Sequence, residues 1–139
     1  MWASEVLSNL LIHYNAIMRL SSLKLGITTQ QSLNLIAIPY DGIPMSLLAK
    51  KMGLDASTLT RNINNLEKLQ FVKRIRDQQD KRVQKILLTS RGSHVVKQLD
   101  IKLEKINQYL LNSMDIDDHE KSINAIESLS WHLKCFREQ

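Results

Sequence analysis

The stretch PMSLLAKKMGLDASTLTRNINNLEK, Pro44 to Lys68, constrains the fold more than any other. Pro44 opens a short helix in which Met45, Leu48, Ala49 and Met52 recur at the spacing of one face. Gly53 ends it as the residue best able to take positive φ. Asp55 then stands as a good N-cap for a second helix over 56–69. Two short helices joined through a glycine-containing turn form a helix-turn-helix.

The second of these helices spends its outward residues unusually. At about 100° per residue, Leu59, Ile63 and Leu66 fall within about 60° of one another and define a buried face. Opposite lie Ser57, Arg61, Asn64 and Lys68, flanked by Thr58, Thr60 and Asn65. Ser, Thr and Asn compete for the backbone's hydrogen bonds, so a merely solvated face would be better served by Glu and Lys. Each of these side chains can instead meet a base edge or a phosphate. Arg suits guanine O6 and N7, Asn suits adenine N6 and N7, and Ser or Thr suits either. Lys68, near the end of the helix, is expected to meet backbone phosphate. A helix of this kind suits the major groove of double-stranded DNA.

The distribution of charge agrees. The net charge is +5, but from Pro44 to Arg91 eleven Lys and Arg stand against four Asp and Glu, whereas the remainder carries eight against ten. A localised basic segment is the footprint of a protein that meets a polyanion. Within it, Phe71 to Arg76 and Gln84 to Thr89 read as strands around the exposed loop DQQDKR. Arg74, Arg76 and Lys81 on this basic hairpin are expected to neutralise phosphates and give salt-dependent affinity. Aromatic content of 5% argues against single strands, which are held by stacking.

Helical segments flank this middle. Residues 2–20 place Trp2, Val6, Leu7, Leu10, Leu11, Tyr14, Ile17 and Met18 at amphipathic helical spacing. A further helix starts at Thr28 or Thr29, carries Leu33, Leu35, Ile36 and Ile38, and stops near Pro39. Thr89 or Ser90 caps a long helix to about residue 112, in which Val96, Leu99, Leu103, Ile106 and Leu110 step as in a packed helix pair. A last helix, about 117–137, sets Ile123, Ile126, Leu129, Leu133 and Phe136 on one side.

The ordered set SLLAKKMGLDASTLTRNINNLEKLQFVKRIRDQQDKRVQKILLTSRG resembles the MarR family of winged-helix transcription regulators. It follows the family's order of LA, GL, STxTR, LE, a strand, D-x-R in the wing and LT-x-x-G, and the flanking helices extend the likeness over nearly the whole chain. The resemblance implies a mainly α fold: a winged helix-turn-helix with a small β-hairpin wing, between long N- and C-terminal helices. Residues 1–24 and 92–139 would form a dimerisation layer and 25–91 the DNA-binding domain. It implies a homodimer on a pseudo-palindromic operator, a repressor, and release by a small-molecule effector whose identity is open. Ser57, Thr58, Thr60 and Arg61 fall on the STxTR stretch, and Asp80 and Arg82 on the wing's D-x-R. There Arg82 is expected at the minor groove, with Asp80 orienting basic side chains. Two departures stand out: Gln70 occupies the usual place of a glycine, and the wing loop lacks the proline often found there, implying greater mobility.

Other chemistry finds little support. His13, His94, His119 and His132 are scattered, and His132 with Cys135 supplies two ligands where zinc needs three or four. The four glycines are isolated and form no phosphate loop, and no nucleophile has a base beside it. The sequence thus implies no enzyme, cofactor or metal. No apolar run is long enough for a membrane span, the N-terminus does not read as a secretory signal, and the single Cys135 suits a reducing cytoplasm. A protein-interaction module that offers its basic face to an acidic partner is the alternative, and it lacks the steep salt dependence of DNA binding.

Overall fold

A computed structural model of the chain describes residues 2–139. In chain order it contains α1 (Ala3–Lys24), α2 (Thr29–Ala37), β1 (Ile43–Pro44), α3 (Met45–Met52), α4 (Ala56–Lys68), β2 (Val72–Arg76), β3 (Gln84–Leu88), α5 (Ser90–Ser113) and α6 (Ile116–Arg137). Its contacts divide it into two compact units, one through Asp100 and one from Ile101.

Local chemistry sets the helix ends in the first unit. Thr28 and Gln31 form a reciprocal capping box at the start of α2. Lys51 Nζ donates to the carbonyl of Ala37 at 2.8 Å, so a side chain of α3 satisfies the end of α2. Gly53 closes α3 at φ 66°. Asp55 Oδ1 then accepts from Thr58 N at 2.6 Å and starts α4, as the sequence predicts.

The core of this unit is built from Leu35, Leu48, Leu59, Ile63, Leu66, Ile86 and Leu99, each almost wholly removed from water. Leu59, Ile63 and Leu66 are the three positions expected on the buried face of α4. In α2 the pattern differs from the expectation. Leu35 and the adjoining Ile38 are buried, but Leu33 and Ile36 face outward while Ser32 and Asn34 are inside. Ser32 is there because its hydroxyl pairs with that of Ser22 in α1 at 2.6 Å.

The hairpin of β2 and β3 appears as expected, and a strand not anticipated joins it. β1 pairs with β3 through Ile43 opposite Ile86 and Pro44 opposite Lys85, giving an antiparallel sheet in the order β1-β3-β2. Pro44 therefore precedes α3 as the last residue of a strand and the N-cap of the helix.

The passage from α4 to β2 is a close-knit joint. Gln70 takes φ 61°, the only described non-glycine residue with positive φ. Gln70 N donates to the Glu67 carbonyl at 2.9 Å and Phe71 N to that of Leu66 at 3.0 Å. This is the paired bonding of a Schellman cap, and Phe71 and Leu66 are both buried in the core beside it. Thr89 ties the same joint to α5. Its hydroxyl donates to the Gln70 carbonyl at 2.6 Å and accepts from Gly92 N at 3.0 Å, while its own N–H reaches the Phe71 carbonyl at 3.0 Å. A β-carbon on Gly92 would lie 1.9 Å from that carbonyl oxygen. The Thr and Gly of the LT-x-x-G stretch are thus explained by one close approach.

In the second unit, Asp115 Oδ1 accepts from Asp117 N at 2.9 Å and caps α6. The imidazole of His119 hydrogen-bonds with Asn107 Oδ1 at 3.2 Å.

Candidate nucleic-acid interface

The residues expected to read DNA lie on α4 outside its packed face. Ser57, Arg61, Asn64, Asn65 and Lys68 are exposed, and Thr58 and Thr60 are half-buried at the flanks. Several hydroxyls are already oriented. Ser57 Oγ donates to Asp55 Oδ1 at 3.0 Å and Thr60 Oγ1 to the Ala56 carbonyl at 2.8 Å, which leaves each oxygen free to accept. Hydrogen bonds from Thr58, then from Ser57, hold the Asp55 carboxyl below the usual carboxylate range. The cap is therefore ionised at neutral pH, as the positive end of a helix dipole favours.

The wing is arranged by two aspartates. Asp80 grips Arg82 with both oxygens: Nε donates to Oδ1 at 3.1 Å and Nη2 to Oδ2 at 3.2 Å. The Arg82 backbone N–H adds a bond to Oδ1 at 3.1 Å. Those bonds, the side-chain ones foremost, hold the Asp80 carboxyl below its ordinary range. The Arg82 side chain is nonetheless 91% exposed, so the grip directs the guanidinium without removing it from reach of a groove. Asp77, which the sequence did not single out, organises the loop. Its Oδ1 accepts from Gln79 N at 2.8 Å and Asp80 N at 3.2 Å, and its own N–H donates to the Val83 carbonyl at 2.9 Å. These bonds close a loop that has no proline to stiffen it.

The other basic residues of the hairpin differ in placement. Lys81 is exposed at the tip. Arg76, from β2, donates across the hairpin to the Lys81 carbonyl at 2.9 Å. Arg74 turns toward α4, where its Nε lies 2.6 Å from Glu67 Oε1 and its Nη2 donates to Asn64 Oδ1. The Glu67 contact is an ion pair without a well-directed N–H bond, and the Arg74 side chain is only 23% exposed. Glu67 is the neighbour of the candidate site that sequence reasoning passed over. Its only signal was the LE pair, which reads equally well as ordinary helix surface.

The chain is similar to known proteins. The model of the MarR family matches residues 40–83, from the turn before β1 through the wing. The HTH-type transcriptional regulator SarZ of Staphylococcus epidermidis is 34% identical over 105 residues, covering 75% of this chain and 68% of that protein. The chain belongs to the MarR family. It is a MarR-family transcriptional regulator and not an enzyme. The fold of the family extends over almost all of it. The crystal structure of MarR superposes with a TM-score of 0.83 at 21% identity, covering 99% of this chain and 95% of that one. Streptococcus pneumoniae FabT, solved in complex with DNA, gives 0.80 at 18% identity, covering 96% and 98%. The Staphylococcus aureus MepR–DNA complex gives 0.74 at 21%, covering 96% and 99%. No described helix is long and apolar enough to cross a membrane.

Proposed function

We propose that this regulator acts in the cytoplasm as a homodimer that binds a pseudo-palindromic operator in double-stranded DNA and represses transcription, with a small-molecule effector releasing it. The observation that carries the reading is the pairing of an α4 face of short donors and acceptors with a wing whose exposed Arg82 is pre-oriented by Asp80. Ser57, Thr58, Thr60, Arg61, Asn64 and Asn65 read the major groove, Lys68 and Lys81 meet phosphate, and Arg82 enters the minor groove. Arg76 holds the wing tip through the Lys81 carbonyl. FabT and MepR, which share the fold, are solved with DNA, and this supports DNA as the partner.

The dimer is supported by apolar surface that a single chain leaves uncovered. On α1, Leu10, Leu11, Tyr14 and Leu20 are exposed, and on α6 Ile123, Ile126, Leu129, Trp131, Leu133 and Phe136. Exposed large apolar side chains in this number mark association surfaces. An open groove of about 480 Å³ on α6 is lined by Ile123, Ile126 and Trp131 among these residues, with Glu127, Ser130 and Lys134. Residues 1–24 and 92–139 would form the dimer layer. Two half-sites would then sit about one helical turn of DNA apart, or a multiple of it.

The test is recovery of genomic fragments by the purified protein, followed by titration at several salt concentrations. A shared inverted repeat bound with steep salt dependence is expected. Recovery of no common sequence, or an affinity indifferent to salt, would overturn the reading.

A further inference from the structure

We propose that Arg74 is a positioning residue that fixes the amide of Asn64, so that Asn64 selects a base presenting hydrogen-bond acceptors, guanine or thymine, in preference to adenine. The inference rests on the DNA-binding reading above and gives it a base preference at one position.

An unconstrained asparagine carries an acceptor oxygen and a donor nitrogen, and rotation of the amide exchanges them. Reading adenine uses both at once, the oxygen toward N6–H and the nitrogen toward N7. In this protein the oxygen is engaged. Arg74 Nη2 donates to Asn64 Oδ1, and a guanidinium has no acceptor, so the amide nitrogen cannot take that place. The guanidinium is itself anchored by its Nε lying 2.6 Å from Glu67 Oε1, one turn of α4 further on. Its planar fork cannot swing to another partner without breaking both contacts. Asn64 is exposed, so what it offers a groove is the Nδ2 donor pair. Guanine answers with O6 and N7 and thymine with O4. Adenine offers N7 but sets its N6 donor beside it, where that donor must compete with the Arg74 guanidinium for the Asn64 carbonyl and meet its second lone pair beside a cation.

The same placement separates Arg74 from Lys81. A residue with 23% of its side chain exposed, its Nη2 on Asn64 and its Nε beside Glu67, acts through α4 and not on phosphate. Its loss should therefore change which base is preferred and leave the count of phosphate contacts alone.

The test uses the full-length protein and a library of duplexes randomised in the half-site, with bound DNA read by sequencing. Asn64→Ala identifies the position that depends on Asn64. In the wild type that position should favour guanine or thymine. In Arg74→Met the preference over adenine there should fall about fivefold or more, with other positions kept and the salt slope unchanged. Glu67→Gln, which loosens the anchor at constant size, should shift the same position in the same direction and serves alone if Arg74→Met does not fold. Adenine at that position in the wild type would overturn the proposal. So would an unaltered preference in the folded variants, or a uniform loss across sequences with the salt slope reduced by about one, the mark of a phosphate contact. A wild type that selects no shared sequence overturns the DNA reading and this inference together, whereas the preceding outcomes overturn the inference alone.

Discussion

Replacing Gln70 by glycine removes a β-carbon from a backbone held at φ 61° by the Schellman cap of α4. A left-handed conformation costs an L-residue about 1–2 kcal/mol, and glycine adopts it without that penalty. Glycine's greater freedom in the unfolded chain offsets about 0.4–1 kcal/mol of the gain. Little else is lost. The bonds at the joint run through main-chain atoms of residue 70, including its carbonyl, which Thr89 holds at 2.6 Å. The one side-chain contact, Arg91 to Gln70 Oε1 at 3.5 Å, is long and exposed. The net expectation for Gln70→Gly is stabilisation by roughly 0.5–1 kcal/mol, or about 2–4 °C in Tm for a chain of this size. Thermal unfolding followed by circular dichroism at fixed protomer concentration measures it, since the melting of an oligomer depends on concentration. Gln70→Ala keeps the β-carbon and should show no gain. A glycine variant that melts at or below the wild-type temperature, or an alanine variant that rises with it, would refute the account of strain.

Three further expectations follow from the site. Arg61→Ala should cost roughly 1–3 kcal/mol of operator binding and relax sequence preference, whereas Lys81→Ala should weaken all sequences about equally, as fluorescence anisotropy on operator and random duplexes would distinguish. Equal losses on both duplexes for Arg61→Ala would remove its base-reading role. Gly92→Ala forces a β-carbon to 1.9 Å from the Phe71 carbonyl oxygen and should destabilise by about 3 kcal/mol or more, seen as a lowered urea midpoint. The Asp55 carboxyl lies below its ordinary 3.8, so its stabilisation is complete above that value and is lost as pH falls through the depressed one. The gap in urea midpoint between wild type and Asp55→Ala should accordingly be level at neutral and mildly acidic pH and close only in stronger acid.

Much of this was legible where a single residue type has one good reason to occur. Gly53 and Asp55 bracket the turn between α3 and α4 because positive φ and an N-cap are local needs. The three buried residues of α4 followed from helical period alone. β1 was not legible, because a strand of two residues is defined by its partners Ile86 and Lys85, some forty positions away. The inversion on α2 has the same origin. Ser32 is inside because Ser22 meets it, and no periodicity within α2 contains that fact. At the candidate site, Asp80 and Arg82 stand out through their motif and Arg61 through its face, and the structure leaves Arg61 and Arg82 exposed. Arg74 was counted with the hairpin cations because charge along a strand does not reveal which way each guanidinium turns. What turns it is Glu67, on the far side of the α4–β2 joint.

The division of labour on α4 bears on how such regulators diversify. Leu59, Ile63 and Leu66 carry the packing, while Ser57, Arg61, Asn65 and Lys68 lie exposed on the other side. Outward Ser and Asn are also weaker helix formers than most residues that could replace them. After duplication of the gene, a copy could drift through many outward combinations without approaching the threshold at which the protein unfolds. New addresses on a genome are then reached through folded intermediates at every step. Asn64 is tied to partners outside that face, and a lineage that rewrites it must also renegotiate Arg74 and Glu67.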